Sequence, residues 1–422
     1  MGLDTLIFQT HPSSRYSLAA LMGAIESDPR LSDITVKAPL HSSMKGIEEH
    51  ASRGEVLIAH SLMSTQTDRV YNNVRRIRER FGDKIHIVGG GPHASIRPGE
   101  LIEVGFDFVI VGEGEKKFTD LLYYLQREKD PSELDGVITE PQKNYPHPKD
   151  FKPIDLDTYP PFALKSNIVG PIEVTRGCPF HCKFCSTPFL TGGVVRHRSI
   201  SNIVEWLKQA VEKSGFERTW FMSPNALCYG GRGRRLELEK LEELLRRTSS
   251  IEGLNDIYFG SFPSEVRPEF VTKAALEVLR QYVANSSLQI GIQSGSNRIL
   301  QEVNRHHTVE EGISAAETAL DCGFTPNIDM IFGFPNEASQ EQEMSVDLCY
   351  DLIEMGASVH AHVFMPLPGS AYEYMLPGKL TDATRKHLGD LARRGLVTGS
   401  WGNQEEIAKR LASQFRIDIA KS

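Results

Sequence analysis

The chain has 422 residues, 40% hydrophobic and 24% charged, with 47 basic against 55 acidic side chains and a formal net charge of −8. These values suit a globular protein of two or three domains of about 150 residues each, and the acidic balance argues against nucleic acid or an anionic membrane as partner. Six cysteines are too few for a disulfide framework, and no run of eighteen apolar residues occurs, so neither a membrane span nor a signal peptide is expected and a reducing cytoplasm is the predicted location.

Along the first 130 residues, short apolar runs alternate with amphipathic stretches. "DTLIFQ" (4–9), "DITVKA" (33–38), "EVLIAH" (55–60), "KIHIVG" (84–89) and "DFVIVG" (107–112) read as buried strands. Between and after them, "SLAALMGAIES", "SMKGIEEHAS", "DRVYNNVRRIRERF", "GELIEVG" and "EKKFTDLLYYLQRE" read as helices. This alternation predicts an open, parallel, doubly wound sheet, whose ligands bind beyond the carboxyl ends of the strands.

A proline-rich stretch, "EPQKNYPHPKDFKPIDLDTYPPF" (140–162), follows. Proline removes amide donors and favours extended backbone, so this stretch is read as a linker. Beyond it, strand patterns recur at "PIEVT" (171–175), "TWFMS" (219–223), "DIYFGSF" (256–262), "LQIGIQSG" (288–295), "PNIDMIFGF" (326–334) and "SVHAHVFMP" (358–366). With helices between them, these six predict a partial (β/α)6 barrel, whose site belongs at the C-terminal strand ends. The last stretch, with "DATRKHLGDLARRG" and "QEEIAKRLASQF", reads as a small helical region. The expected domains are therefore 1–139, a linker at 140–164, 165–370, and 371–422.

The first barrel strand runs into "EVTRGCPFHCKFCS", which sets Cys178, Cys182 and Cys185 at C-x3-C-x2-C spacing. Three readings compete: cysteines that are merely buried, a zinc site completed by His181 or His197, and an iron–sulfur cluster with one iron left open. Clustered spacing disfavours the first. Structural zinc favours paired C-x2-C knuckles, and no second knuckle exists. The cluster is preferred, because an open iron can bind a substrate.

With Phe184 just before the last cysteine, "RGCPFHCKFC" resembles the motif of radical S-adenosylmethionine enzymes. The resemblance implies a [4Fe–4S] cluster on Cys178, Cys182 and Cys185, with S-adenosylmethionine chelated at the open iron. It also implies S-adenosylmethionine contacts along the barrel. "GIQSGS" (291–296) resembles the family's ribose-facing segment, which makes Gln293 and Ser294 candidates, with Ser264 beside them and Phe184 in the motif itself. "MSPNALCYGG" (222–231) stands where the family often has a Gly-Gly-Glu turn; that turn is absent, leaving Ser223 and Asn225 as substitutes.

"VGGGPHAS" and "VGEGE" resemble the cobalamin-binding domain that precedes many such enzymes. The cobalamin candidates there are Gly89, Gly90, Gly91, Pro92, His93, Gly112, Glu113, Gly114 and Glu115. The family's Asp-x-His-x-x-Gly after the first strand is replaced by "QTHPSS", with Gln9 and Ser14 at the outer positions. His11 remains a candidate cobalt ligand without a carboxylate behind it, and a lower face unligated or met by water is preferred. Ser61, Met63 and Ser64 of "SLMSTQT" are expected to line that face.

Together these resemblances imply a cobalamin-dependent radical methyltransferase acting on an unactivated sp3 carbon, with a ferredoxin or flavodoxin as electron donor. The alternatives are a cobalamin-containing radical enzyme that rearranges or cyclises its substrate, one that methylates a small molecule, and a non-enzymatic iron–sulfur or zinc module. "NRHHT", "HAHVFMPLPGS" and "GLVTGSWGNQ", in this order, resemble the branch whose substrate is a protein, methyl-coenzyme M reductase, methylated on a glutamine α-carbon. In that reading the "NRHHT" histidines and Tyr372 are candidates to engage a peptide.

Overall fold

The computed structural model describes residues 2–9, 14–37 and 43–421, with side-chain surroundings given to residue 414. The chain divides into two compact units: residues 1–171 with 189–192, and residues 172–188 with 193–422.

Unit 1 is a twisted sheet of β1 (Leu3–Gln9), β2 (Thr35–Lys37), β3 (Glu55–Ser61), β4 (Ile85–Gly90), β5 (Phe108–Ile110) and β6 (Val137–Ile138). Its order is β2-β1-β3-β4-β5-β6. All pairs are parallel except β5 with β6, a short strand that the sequence reading left out. The runs "LIF" and "VLIA" are apolar throughout because both faces are covered. Leu6, Phe8, Leu57, Ala59 and Val88 pack on one side, with Leu18, Met22, Leu121 and Leu122 of helices Arg15–Ser27 and Gly114–Gln126. Ile7, Ile58 and Ile87 pack on the other, with Val74, Ile77 and Leu101 of helices Thr67–Phe81 and Pro98–Val104. Each fully buried Ile or Leu contributes about 1.5–3 kcal/mol.

The strand order reverses between β1 and β3, the switch point at which ligands of such sheets sit. The proline-rich stretch is docked on this unit rather than free. Leu156 and Phe162 are buried, Glu113 accepts the Ile154 amide at 2.7 Å, and Glu26 accepts the amides of Lys165 and Ser166.

Unit 2 is a curved, open barrel. β7 (Ile172–Glu173), β10 (Arg218–Met222) and β11 (Asp256–Tyr258) form one parallel sheet. β12 (Ser287–Gln293), β13 (Thr325–Phe332), β14 (Ser358–Val363) and β15 (Val397–Thr398) form a second. The two join through Val266, which bridges Ile290, and through the Gln289 amide donating to Gly260. β15 lies in the stretch read as purely helical; it pairs with β14 between helices Asp382–Arg393 and Trp401–Lys421. A two-residue antiparallel ladder, β8 (Thr175–Arg176) with β9 (Arg196–His197), clasps the base of the cysteine loop. No helix of the described residues is long and apolar enough to cross a membrane.

Candidate active site

The cysteine loop leaves β8 at Gly177, whose φ of +95° is the left-handed region that favours glycine. Its path is pinned from the segment after β12. Asn304 Nδ2 donates to the carbonyls of Phe180 (2.9 Å) and His181 (3.0 Å), and His306 Nε2 lies 3.2 Å from the same Phe180 oxygen. His307 is buried, with Nε2 3.1 Å from the Ile292 carbonyl. Tyr372 is buried too: its amide donates to Lys183 and its hydroxyl faces Glu302. Asn304, His306 and Tyr372 therefore hold the loop, while His307 is turned to β12 and Glu269.

Cys182 is buried between two guanidinium groups: Arg305 Nη1 is 3.5 Å and Arg267 Nη1 3.6 Å from its sulfur. Arg267 also lies 3.7 Å from the ring centre of Phe180 and pairs with Glu269 at 2.7 Å. Burial works against ionisation of Glu269, but His307 and Arg267 hold its carboxyl down at about 2. Burial pushes the Cys178 and Cys185 thiols up, so loading a metal must displace their protons. Sequence reading missed Arg267 and Arg305, whose only signal was a basic residue in the loops after β11 and β12.

These residues fit a multi-iron cluster better than one zinc ion. His197 is engaged by Thr175 at one nitrogen and by the Gly231 carbonyl at the other. Arg267 Nη2 and Arg305 Nε are buried without a partner, which suits an anion beside the cluster.

The other predicted contacts divide. Gln293 stands at a bulge closing β12, buried, with φ +84°. Phe184 packs against Phe334, with ring centres 5.8 Å apart. Ser264 is fully buried, accepting from the Ser223 amide and donating to the Phe221 carbonyl. Ser223 Oγ donates to the Asn225 carbonyl, Asn225 Nδ2 lies against Cys228, and Ser294 accepts from the Ser296 amide. The polar atoms of these four shape the strand ends.

After β13, Glu337 folds back to accept the Gly333 amide at 2.6 Å, with its other oxygen buried and unpartnered. Burial pushes its carboxyl up to about 8. A raised carboxyl stabilises the fold below its ordinary value near 4.5, and that stabilisation fades as pH rises through about 8. The native chain should therefore lose melting temperature between pH 5 and 8 relative to Glu337→Gln. Parallel thermal scans of the two proteins check this; equal slopes would count against it.

In unit 1, Ser61 at the end of β3 pairs with Gly90 of β4, and Gly91 follows, one strand from the switch point. Gly91 has φ +92°, and a Cβ there would lie 3.0 Å from Ser61 Oγ. Pro92 and His93 open the short helix Pro92–Ile96. His93 is buried and engaged, with Nδ1 3.0 Å from Ser64 Oγ and Nε2 2.9 Å from the Tyr71 hydroxyl. Met63 is 37% exposed. The Gly112 amide donates to Ser95 Oγ, Glu113 holds the docked connector, and Gly114 and buried Glu115 begin helix Gly114–Gln126. Gly89 faces inward onto Leu101 and Phe106. His11 lies outside the described residues.

Residues 3–122 match the model of the B12 binding domain, and residues 172–349 that of the radical SAM superfamily. The chain thus carries a B12-binding domain followed by a radical SAM domain. The first domain implies cobalamin, and the second implies a [4Fe–4S] cluster and S-adenosylmethionine. A Methanocaldococcus jannaschii protein bearing a methylthiotransferase name is 28% identical over 254 residues, 60% of this chain and 54% of that one. An uncharacterized methyltransferase of Pyrococcus horikoshii is 26% identical, covering 75% and 69%. The chain thus spans about half the length of the first of these relatives. The radical S-adenosylmethionine methyltransferase TsrM of Kitasatospora setae, solved with cobalamin and a [4Fe–4S] cluster, shares the fold at a TM-score of 0.65 and 14% identity, covering 89% of this chain and 74% of that one. The cobalamin-dependent radical enzyme OxsB also shares it, at 0.64 and 15%, covering 97% and 56%.

Proposed function

We propose that the chain is a cobalamin-dependent radical S-adenosylmethionine methyltransferase acting on an unactivated sp3 carbon, the α-carbon of a glutamine in methyl-coenzyme M reductase. The observation that carries the reading is the joining, in one chain, of a switch-point sheet edged by bare glycines and a cysteine loop gripped by two buried arginines. When bound, the cluster supplies an electron to S-adenosylmethionine, and cobalamin supplies the methyl group.

Cys178, Cys182 and Cys185 would hold the cluster. Arg267 and Arg305, each with a buried N–H still unpaired, would take the carboxylate of the methionine moiety. Gln293 and Phe184 would flank it, while Ser223, Asn225, Ser264 and Ser294 keep the strand ends in place. Gly90, Gly91, Gly112 and Gly114 would admit the corrin, with Ser61 and Met63 beside it. His93, Ser64, Gly89, Glu113 and Glu115 would act behind that surface. His11 is kept as a candidate cobalt ligand, and a cytoplasmic ferredoxin or flavodoxin as the reductant.

Relatives with methylthiotransferase names raise sulfur insertion as a second outcome. Residues 1–171 contain no cysteine, so unit 1 offers no thiolate for a second cluster. For a peptide-sized substrate, Phe262 and Leu376 are 76% and 49% exposed on loops after β11 and β14; exposed apolar side chains near strand ends suit a bulky partner.

The test is anaerobic reconstitution with iron, sulfide and cobalamin, then incubation with a peptide spanning the reductase's glutamine segment. A gain of one CH2 placed on that glutamine by fragmentation supports the proposal. Methylation of another residue, of a small molecule only, or a gain of sulfur refutes it. Arg305→Gln should keep its iron yet cleave S-adenosylmethionine at least about tenfold more slowly at limiting concentration, since a lost charged hydrogen bond costs about 1.5–3 kcal/mol. Deoxyadenosine release measures this.

A further inference from the structure

The polar face of unit 2's second sheet carries ligand-type side chains that the proposed reaction leaves unused. Asp329 on β13 stands opposite His360 on β14, and His362 lies two residues further along. A period of two puts both histidines on one face. The alternate residues Ile328, Met330, Val359 and Ala361 are fully buried on the other.

Asp329 Oδ1 lies 3.3 Å from His360 Nδ1 and 3.4 Å from His362 Nε2, and the three ligand atoms fall within 4.8 Å of one another. Those separations exceed the roughly 2.7–2.9 Å of a charge-assisted hydrogen bond. They match the spacing of about 3.3 Å between tetrahedral ligands set about 2.0–2.1 Å from one ion. The same oxygen is held by a chain of polar side chains: Gln289 Nε2 donates to Asp329 Oδ1 at 2.6 Å, Asn327 Nδ2 to Gln289 Oε1 at 2.6 Å, and Ser358 Oγ to Asn327 Oδ1 at 3.0 Å. Such a chain orients a metal-ligating carboxylate.

Charge points the same way. Asp329 also faces the charge of a second carboxylate, Glu265, on the loop after β11. His360 and His362 remain 34% and 29% exposed, which leaves room for a further ligand.

We infer that Asp329, His360 and His362 form a binding site for one divalent first-row cation, with an open position able to take an oxygen or nitrogen donor. An imidazole and carboxylate set suits zinc or ferrous iron rather than magnesium or calcium. Gln404 holds the other side of His362. Its Oε1 accepts the Val363 amide at 2.9 Å and its Nε2 lies 3.2 Å from His362 Nδ1, on the side of the ring away from Asp329.

The test uses the full chain with its cluster reconstituted, equilibrated with zinc, desalted against a weak chelator and analysed for zinc and iron. A single zinc per chain is expected in the native protein and in the Cys178→Ala/Cys182→Ala/Cys185→Ala variant. It should be lost from His360→Gln/His362→Gln with iron content and circular dichroism unchanged. Cobalt substitution should give a spectrum without a thiolate-to-metal band. Zinc retained by the double histidine variant, zinc lost with the cysteines, or no zinc in the native chain overturns the inference. Because the readout is metal content, it stands apart from the outcome of the methylation assay.

Discussion

Alanine at Cys178, Cys182 or Cys185 removes the cluster and reduces S-adenosylmethionine cleavage to background, while cobalamin still binds. In the proposed reading each side chain would be one of three iron ligands on one loop, and alanine offers no lone pair in its place. The three variants should not behave alike as folds. Cys182 alone stands between Arg267 and Arg305, so its loss leaves two buried cations facing each other without the sulfur between them. Truncation at this buried position opens a gap beside both guanidinium groups, and Cys182→Ala should melt below the other two. Iron content, deoxyadenosine release and cobalamin absorbance measured on each variant check the set. Full deoxyadenosine formation by any of them would sink the assignment of the loop.

The alternation of apolar runs made the parallel strands of both units legible, because residues such as Ile7, Ile58 and Ile328 are buried wherever the sheet is covered. Short elements escaped that signal. Val137–Ile138 and Val397–Thr398 are too brief for a period to register, and their strand character comes from the neighbour they pair with. The β8–β9 clasp is likewise a tertiary effect: Thr175 and His197 are 22 positions apart and meet only once the cysteine loop has closed.

The site was read unevenly for a similar reason. Three cysteines at short spacing carry their chemistry in sequence, whereas Arg267, Arg305 and Asn304 converge on the loop from elsewhere in the barrel. A serine at a strand end has the same letter whether its hydroxyl faces a ligand or a backbone amide. Ser264 and Ser294 turn to the backbone. "HAH" was noticed as a segment, but the partner that gives it meaning, Asp329, lies on the adjacent strand.

The glycine run of "VGGGPHAS" supplies the second large expected effect, because its members do different things. A Cβ on Gly89 would lie 2.4 Å from Leu101 Cδ2 and 3.1 Å from Phe106, inside a core where helix Pro98–Val104 meets the sheet. Gly89→Ala should therefore act on stability: overpacking of this kind costs about 1–3 kcal/mol. A Cβ on Gly90 would meet nothing closer than Ile110 Cβ at 4.0 Å, and the backbone there needs no left-handed conformation. Gly90→Leu should fold with its melting temperature preserved and place an isobutyl group at the strand-end crevice. If a corrin approaches that edge, bound cobalamin should fall at least about tenfold, a loss of about 1.4 kcal/mol or more. The cluster and S-adenosylmethionine cleavage should persist, so deoxyadenosine accumulates without methylated product. Cobalamin content, iron content and melting temperature measured side by side separate the two glycines. Unchanged cobalamin in a well-folded Gly90→Leu protein would mean that the ligand of unit 1 lies elsewhere than beyond β4.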